Sequence, residues 1–176
     1  MRIDPKQTAA LVIDFQERLI PVMHHKEALM EHADILLTGL QELGIPTYLT
    51  QQYTKGLGMT AKEIQEACKR ETYTEKIRFS AYEEVEPLIH EKKYILVCGI
   101  EAHICVLQTI IDLAANGYIP ILVVDCISSR KESDLAIALK RAVEEGAFLT
   151  TYEAVLFELL QEAGTLQSKK IQRLIK

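Results

Sequence analysis

Apolar residues fall along this chain in two rhythms. Short unbroken runs occupy residues 8–13, 45–50, 94–98, 119–124 and 147–151, the pattern of strands buried on both faces. Between them apolar positions recur at helical spacing. Leu29, Ala33, Leu36, Leu37, Leu40 and Leu43 predict a helix over 26–43, closed by Gly44. Ile104, Leu107, Ile111, Ala114 and Ala115 predict another that ends at Gly117, and Leu135, Ala136, Leu139, Ala142 and Val143 a third that ends at Gly146. Shorter helices are expected over 60–69, 83–91 and 153–162, and the tail 166–176 is a polar, basic helix or frayed. Thr72, Tyr73 and Thr74 favour one more strand. Capping boxes are expected at Ser129–Glu132 and at Thr150–Glu153. Strands alternating with helices predict a parallel sheet with helices on both faces.

In such sheets, sites form where strands end at their C-terminal edge. The stretch 94–107 is the most informative: a buried strand, Gly99, then a helix with Cys105 in its first turn. Free N–H groups and the helix dipole there favour a thiolate and can hold an oxyanion. Two readings stand side by side, a nucleophile and a small buried hydrophobe. Asp14 ends the first strand and reads either as a turn-capping acid or as a site carboxylate beside Phe15 and Gln16. Lys76 follows the 72–74 strand and reads either as a solvated cation or as a site residue. Cys126 also lies at a strand end, but opens no helix. The polar loop 51–59 sits at the same edge, where binding residues concentrate.

Composition narrows the class. With 176 residues, 48% hydrophobic and 26% charged, the chain is one ordinary globular domain, taken as residues 1–176. A net charge of −5 without a basic block argues against nucleic acid as a partner. No stretch reads as a signal peptide or membrane span, and four cysteines without a CxxC pair suit reduced thiols in the cytoplasm.

Three pieces in order carry a resemblance: Asp14-Phe15-Gln16, Lys76 with Arg78-Phe79-Ser80, and Gly99-Ile-Glu-Ala-His-Ile-Cys105-Val106. Together they resemble the isochorismatase-like cysteine hydrolases. The loop Gln52-Tyr53-Thr54-Lys55-Gly56-Leu57-Gly58 is similar to the isochorismatase domain-containing and YcaC-like branch. The resemblance implies a three-layer α/β/α Rossmann-like fold around a six-stranded, mostly parallel sheet. It also implies a Cys105–Asp14–Lys76 triad and a cis peptide between Ile100 and Glu101. The N–H groups of Glu101 and Cys105 would form the oxyanion hole, and Phe15, Gln16, Gln52, Tyr53, Phe79, Ile100 and His103 would line the substrate site. The family's nicotinamidases bind a metal through Asp-x-His after strand two; this chain has Gln51-Gln52-Tyr53 there, so no metal and no other cofactor is expected.

The activity so implied is hydrolysis of an amide or carbamoyl C–N bond in a small molecule through a thioester. Two alternatives remain open: vinyl-ether hydrolysis of the isochorismatase type, and a thiol sensor or binding module on the same fold. Cys105 is expected to be the most reactive of the four thiols, with a lowered pKa. The resemblance further implies homo-oligomers, with Tyr118, Ile127 and Phe157 as interface candidates.

Overall fold

A computed structural model describes residues 1–176. Its strands are β1 (Thr8–Ile13), β2 (Thr47–Gln52), β3 (Thr74–Lys76), β4 (Tyr94–Ile100), β5 (Ile119–Ser128) and β6 (Phe148–Thr150). They form one sheet in the order β3-β2-β1-β4-β5-β6, and every neighbouring pair is parallel. The helices are α1 (Lys26–Glu42), α2 (Thr54–Leu57), α3 (Lys62–Cys68), α4 (Tyr82–Ile89), α5 (Leu107–Ala115), α6 (Glu132–Glu144), α7 (Tyr152–Leu160) and α8 (Leu166–Leu174).

Side chains alternate across a strand, so the sheet divides the core in two. Ala10 and Val12 of β1 face a cluster with Leu36, Leu37 and Leu40 of α1, Ile64 of α3, Val155 of α7 and Ile171 of α8. Ala9, Leu11 and Ile13 face the other cluster, with Val85 of α4, Ile110 of α5 and Ala138 of α6. The result is a three-layer α/β/α fold. The three α1 leucines are fully buried, and burial of each contributes about 1.5–3 kcal/mol.

The strand order reverses direction between β1 and β4, which opens a crevice beyond their carboxyl ends. Gly99 lets the two strands meet there. Its φ is +133°, and a Cβ would lie 2.1 Å from the Ile13 carbonyl oxygen.

Several local expectations shift. β5 runs four residues past its apolar run, to Ser128, after a register irregularity opposite residues 97–99 of β4. The 51–59 loop is partly ordered, since β2 includes Gln51 and Gln52 and α2 follows. Ser129 does not cap α6: the N-cap is Lys131 without a side-chain bond, and the Ser129 hydroxyl meets His103 Nδ1 at 2.9 Å instead. The α7 cap is Thr151 rather than Thr150. The basic tail is helical, with Thr165 accepting from the Ser168 N–H. No helix is long and apolar enough to cross a membrane.

Candidate active site

The crevice brings together the ends of β1, β3 and β4. Asp14, directly after β1, adopts a left-handed φ of 53° that turns the chain off the sheet. Its Oδ1 accepts from Thr50 Oγ1 of β2 at 2.8 Å. Its Oδ2 lies 2.7 Å from Lys76 Nζ, with both side chains 0% exposed. That ion pair is close but not aligned as a hydrogen bond, so Oδ2 is a buried acceptor with no aligned donor. Burying an ammonium and a carboxylate is costly unless each is compensated. Lys76 donates to Gln52 Oε1 at 2.7 Å, to the Phe79 carbonyl at 2.8 Å and more weakly to the Arg78 carbonyl at 3.4 Å.

Cys105 completes the group. It lies in a π-helical turn, Ala102–Val106, between β4 and α5, the kind of local irregularity that recurs at functional sites. Thr109 Oγ1 of α5 donates to the Cys105 carbonyl at 2.7 Å and accepts from the Ala81 N–H at 2.9 Å, tying the turn to the segment beyond Lys76. The expected lowered thiol pKa is not what the geometry produces. Cys105 is 6% exposed. Burial and the neighbouring Asp14 carboxylate push its thiol up to about 12, against the downward pull of Lys76. Desolvation is the largest cause of that rise. Burial and the carboxylate both favour the protonated thiol. The other three thiols are raised too, by burial first in each case.

The Ile100–Glu101 peptide is cis. The Glu101 N–H makes no hydrogen bond within the protein. The Glu101 side chain points away to the β5–α6 connection, where its carboxylate accepts from the Arg130 N–H at 3.2 Å and from Arg130 Nε at 3.1 Å.

The residues expected to line the substrate site separate into two groups. Tyr53 and Phe79 are 49% and 53% exposed. His103 is partly exposed, with Nδ1 against Ser129 and Nε2 3.9 Å from Asp134. Phe15 and Ile100 are instead fully buried in the α1-side core and offer no surface to a ligand. Gln16 is consumed by the loop: its Oε1 accepts from the Gln52 N–H at 2.7 Å, and its Nε2 donates to the Gln52 and Gly58 carbonyls. Gln52 spends its amide on Lys76 and on the Ile77 carbonyl, 2.6 Å from its Nε2. Polar residues beside a nucleophile suggest ligand contacts, but here their partners are local backbone atoms and the buried ammonium. Nothing in the sequence marks Thr50 or Thr109 as a partner of these residues.

Gln51 is likewise engaged, with Thr54 and Thr60. No three His, Cys, Asp or Glu side chains are arranged to hold a metal ion. A cleft of about 770 Å³ lies apart from the triad, between α1 and α3, with Glu17, Asp34, Glu63 and Glu66 on its walls.

Residues 8–154 match the family model described as the Isochorismatase domain. Isochorismatase domain-containing protein 2 of Danio rerio is 35% identical over 99% of this chain and 89% of its own length. The solved structure of MAR1 ribonuclease from Caenorhabditis elegans superposes with a TM-score of 0.94 at 34% identity, covering 99% of this chain and 92% of that one. YcaC from Pseudomonas aeruginosa shares the fold, with a TM-score of 0.90 at 20% identity over 98% of this chain and 91% of that one.

Proposed function

This chain belongs to the isochorismatase family, and we propose that it is a metal-independent cysteine hydrolase acting on a small amide or carbamoyl C–N bond. The observation that carries this reading is the fully buried Asp14–Lys76 ion pair beside the Cys105 thiol. A buried carboxylate oxygen with no aligned donor is suited to receive a proton.

In the first half-reaction Asp14 takes the thiol proton as Cys105 Sγ attacks the substrate carbonyl carbon. The oxyanion is held by the unpaired Glu101 N–H together with that of Cys105. Collapse breaks the C–N bond, and Asp14 returns its proton to the leaving nitrogen. The product is an amine and a thioester on Cys105. A water then loses a proton to Asp14 and attacks the thioester, and Sγ leaves as the thiol with that proton. The Lys76 side chain offsets the negative charge. Tyr53, Phe79 and His103, which keep free surface at the strand ends, would contact the substrate. The four free thiols suit a reducing compartment such as the cytoplasm.

Assembly into homo-oligomers belongs to the same proposal. Ile127 is buried and drops out as an interface residue, while Phe157, Ile137, Phe148 and Leu149 expose apolar surface.

The test is a panel of small amides, ureides, carbamoyl compounds and vinyl ethers, with intact mass read during turnover. An acyl adduct on Cys105 and loss of turnover in Cys105→Ala are expected. Full turnover by Cys105→Ala, as a vinyl-ether reaction would allow, sinks the covalent route. The C. elegans relative is described as a ribonuclease, so a single-stranded RNA belongs in the panel. Its cleavage by wild type and Cys105→Ala alike would replace this reading.

A further inference from the structure

Lys76 is a primary ammonium whose side chain has no exposure at all. Its aligned hydrogen bonds all go to neutral oxygens: Gln52 Oε1, the Phe79 carbonyl and, at longer range, the Arg78 carbonyl. Asp14 stands opposite as the only anion in contact, close but unaligned. Among the neutral acceptors Gln52 alone is a side chain.

The amide of Gln52 is fixed from both ends. Its Nε2 donates to the Ile77 carbonyl, which leaves Oε1 facing the ammonium. Its backbone N–H and carbonyl are clasped by the Gln16 amide. Gln52 and Lys76 are also register partners on β2 and β3, so the side chains meet across adjacent strands.

We infer that Gln52 is the positioning residue of the triad, its neutral amide oxygen setting where the Lys76 ammonium stands against Asp14 and Cys105. This rests on the cysteine-hydrolase reading above. Neutrality is part of the role. The resting centre holds one cation, one anion and a neutral thiol, and moving the thiol proton to Asp14 leaves that sum unchanged. A carboxylate at position 52 would compete with Asp14 for the ammonium and oppose a thiolate. A side chain with no acceptor would leave a buried N–H without a partner.

The probe is iodoacetamide, with labelling at Cys105 located by peptide mapping and its rate followed across pH. In Gln52→Met the rate at neutral pH should fall about tenfold, the equivalent of one pKa unit. Gln52→Glu is the near-isostere. Protonated, it can donate to the Ile77 carbonyl and accept from Lys76 as glutamine does; ionised, it cannot. Its rate relative to wild type should therefore fall as pH rises, where a merely structural role gives a constant ratio. If Gln52→Met does not fold, the slope of the Gln52→Glu ratio decides. A constant Gln52→Glu ratio, or a folded Gln52→Met with the wild-type profile, overturns the inference. Asp14→Asn and Lys76→Met separate the two readings. If they alter Cys105 labelling and the Gln52 variants do not, only this inference fails. If they too leave it unchanged, the triad itself is wrong.

Discussion

Burial and the Asp14 carboxylate push the Cys105 thiol up to about 12, and a thiol so raised is a poor nucleophile without a base beside it. In the proposed mechanism the proton is handed over within the site, so the carboxylate's hydrogen bonds matter as much as the sulfur. Thr50 supplies the only aligned side-chain donor to Asp14. Thr50→Val keeps the shape and leaves Oδ1 of a fully buried carboxylate without that donor. Stability should fall by about 1–3 kcal/mol, read by urea unfolding with the fold checked by circular dichroism. A change under about 0.5 kcal/mol, the size of a neutral surface substitution, would show that the bond contributes nothing. Asp14, Lys76 and Cys105 stand out as candidates in the sequence because each lies at or just beyond the end of a strand and each sits in a family motif. The roles of the residues that hold them are not legible there, although Gln52 stands among the substrate-site candidates. Thr50 and Gln52 meet Asp14 and Lys76 only through sheet pairing, and hydrophobic patterning carries no information about polar partners across strands.

Elements deliver these residues to one place, and the β1–β4 contact is the tightest constraint among them. Gly99 is required there twice over, by its positive φ and by the Ile13 backbone where a Cβ would sit. Gly117 has a positive φ of +84° but open space around it. Gly117→Ala should therefore cost about 1–2 kcal/mol, the conformational penalty alone. Gly99→Ala should exceed it by several kcal/mol and yield little folded protein. Comparable denaturation midpoints for the two variants would mean that β1 and β4 can part without loss. Element type was readable almost throughout, since the 3.6 and 2 periodicities are strong here. The ends were less so. β5 continues through Asp125 and Ser128 because a strand's end is set by its neighbour's pairing, not by where its apolar run stops. Ser129 fits a capping box by spacing, yet its hydroxyl is taken by His103, a partner 26 residues away.

At the scale of the molecule, alternation of strands and helices predicted a parallel sheet, but not its order. The reversal between β1 and β4, which makes the crevice, comes from how the crossovers pack and has no local signature. All four cysteines are buried, and this has a consequence for the whole fold. Burial raises each thiol, Cys68 and Cys105 to about 12 and Cys98 and Cys126 also upward. In the unfolded chain a thiol titrates near about 8.5. A folded-state value above the unfolded one means stability is complete below about pH 8.5 and is lost as pH climbs toward the folded values. Each thiol contributes a slope of about 1.4 kcal/mol per pH unit in that window. The urea midpoint under reducing conditions should therefore decline from about pH 8.5 upward, before tyrosine and lysine ionisation in the unfolded chain at about pH 10. Replacing Cys98, the thiol fully inside β4, with alanine should make that decline shallower by one thiol's share, whatever the variant loses in packing. A midpoint that stays flat to about pH 9.5 would show that the buried thiols ionise as readily folded as unfolded.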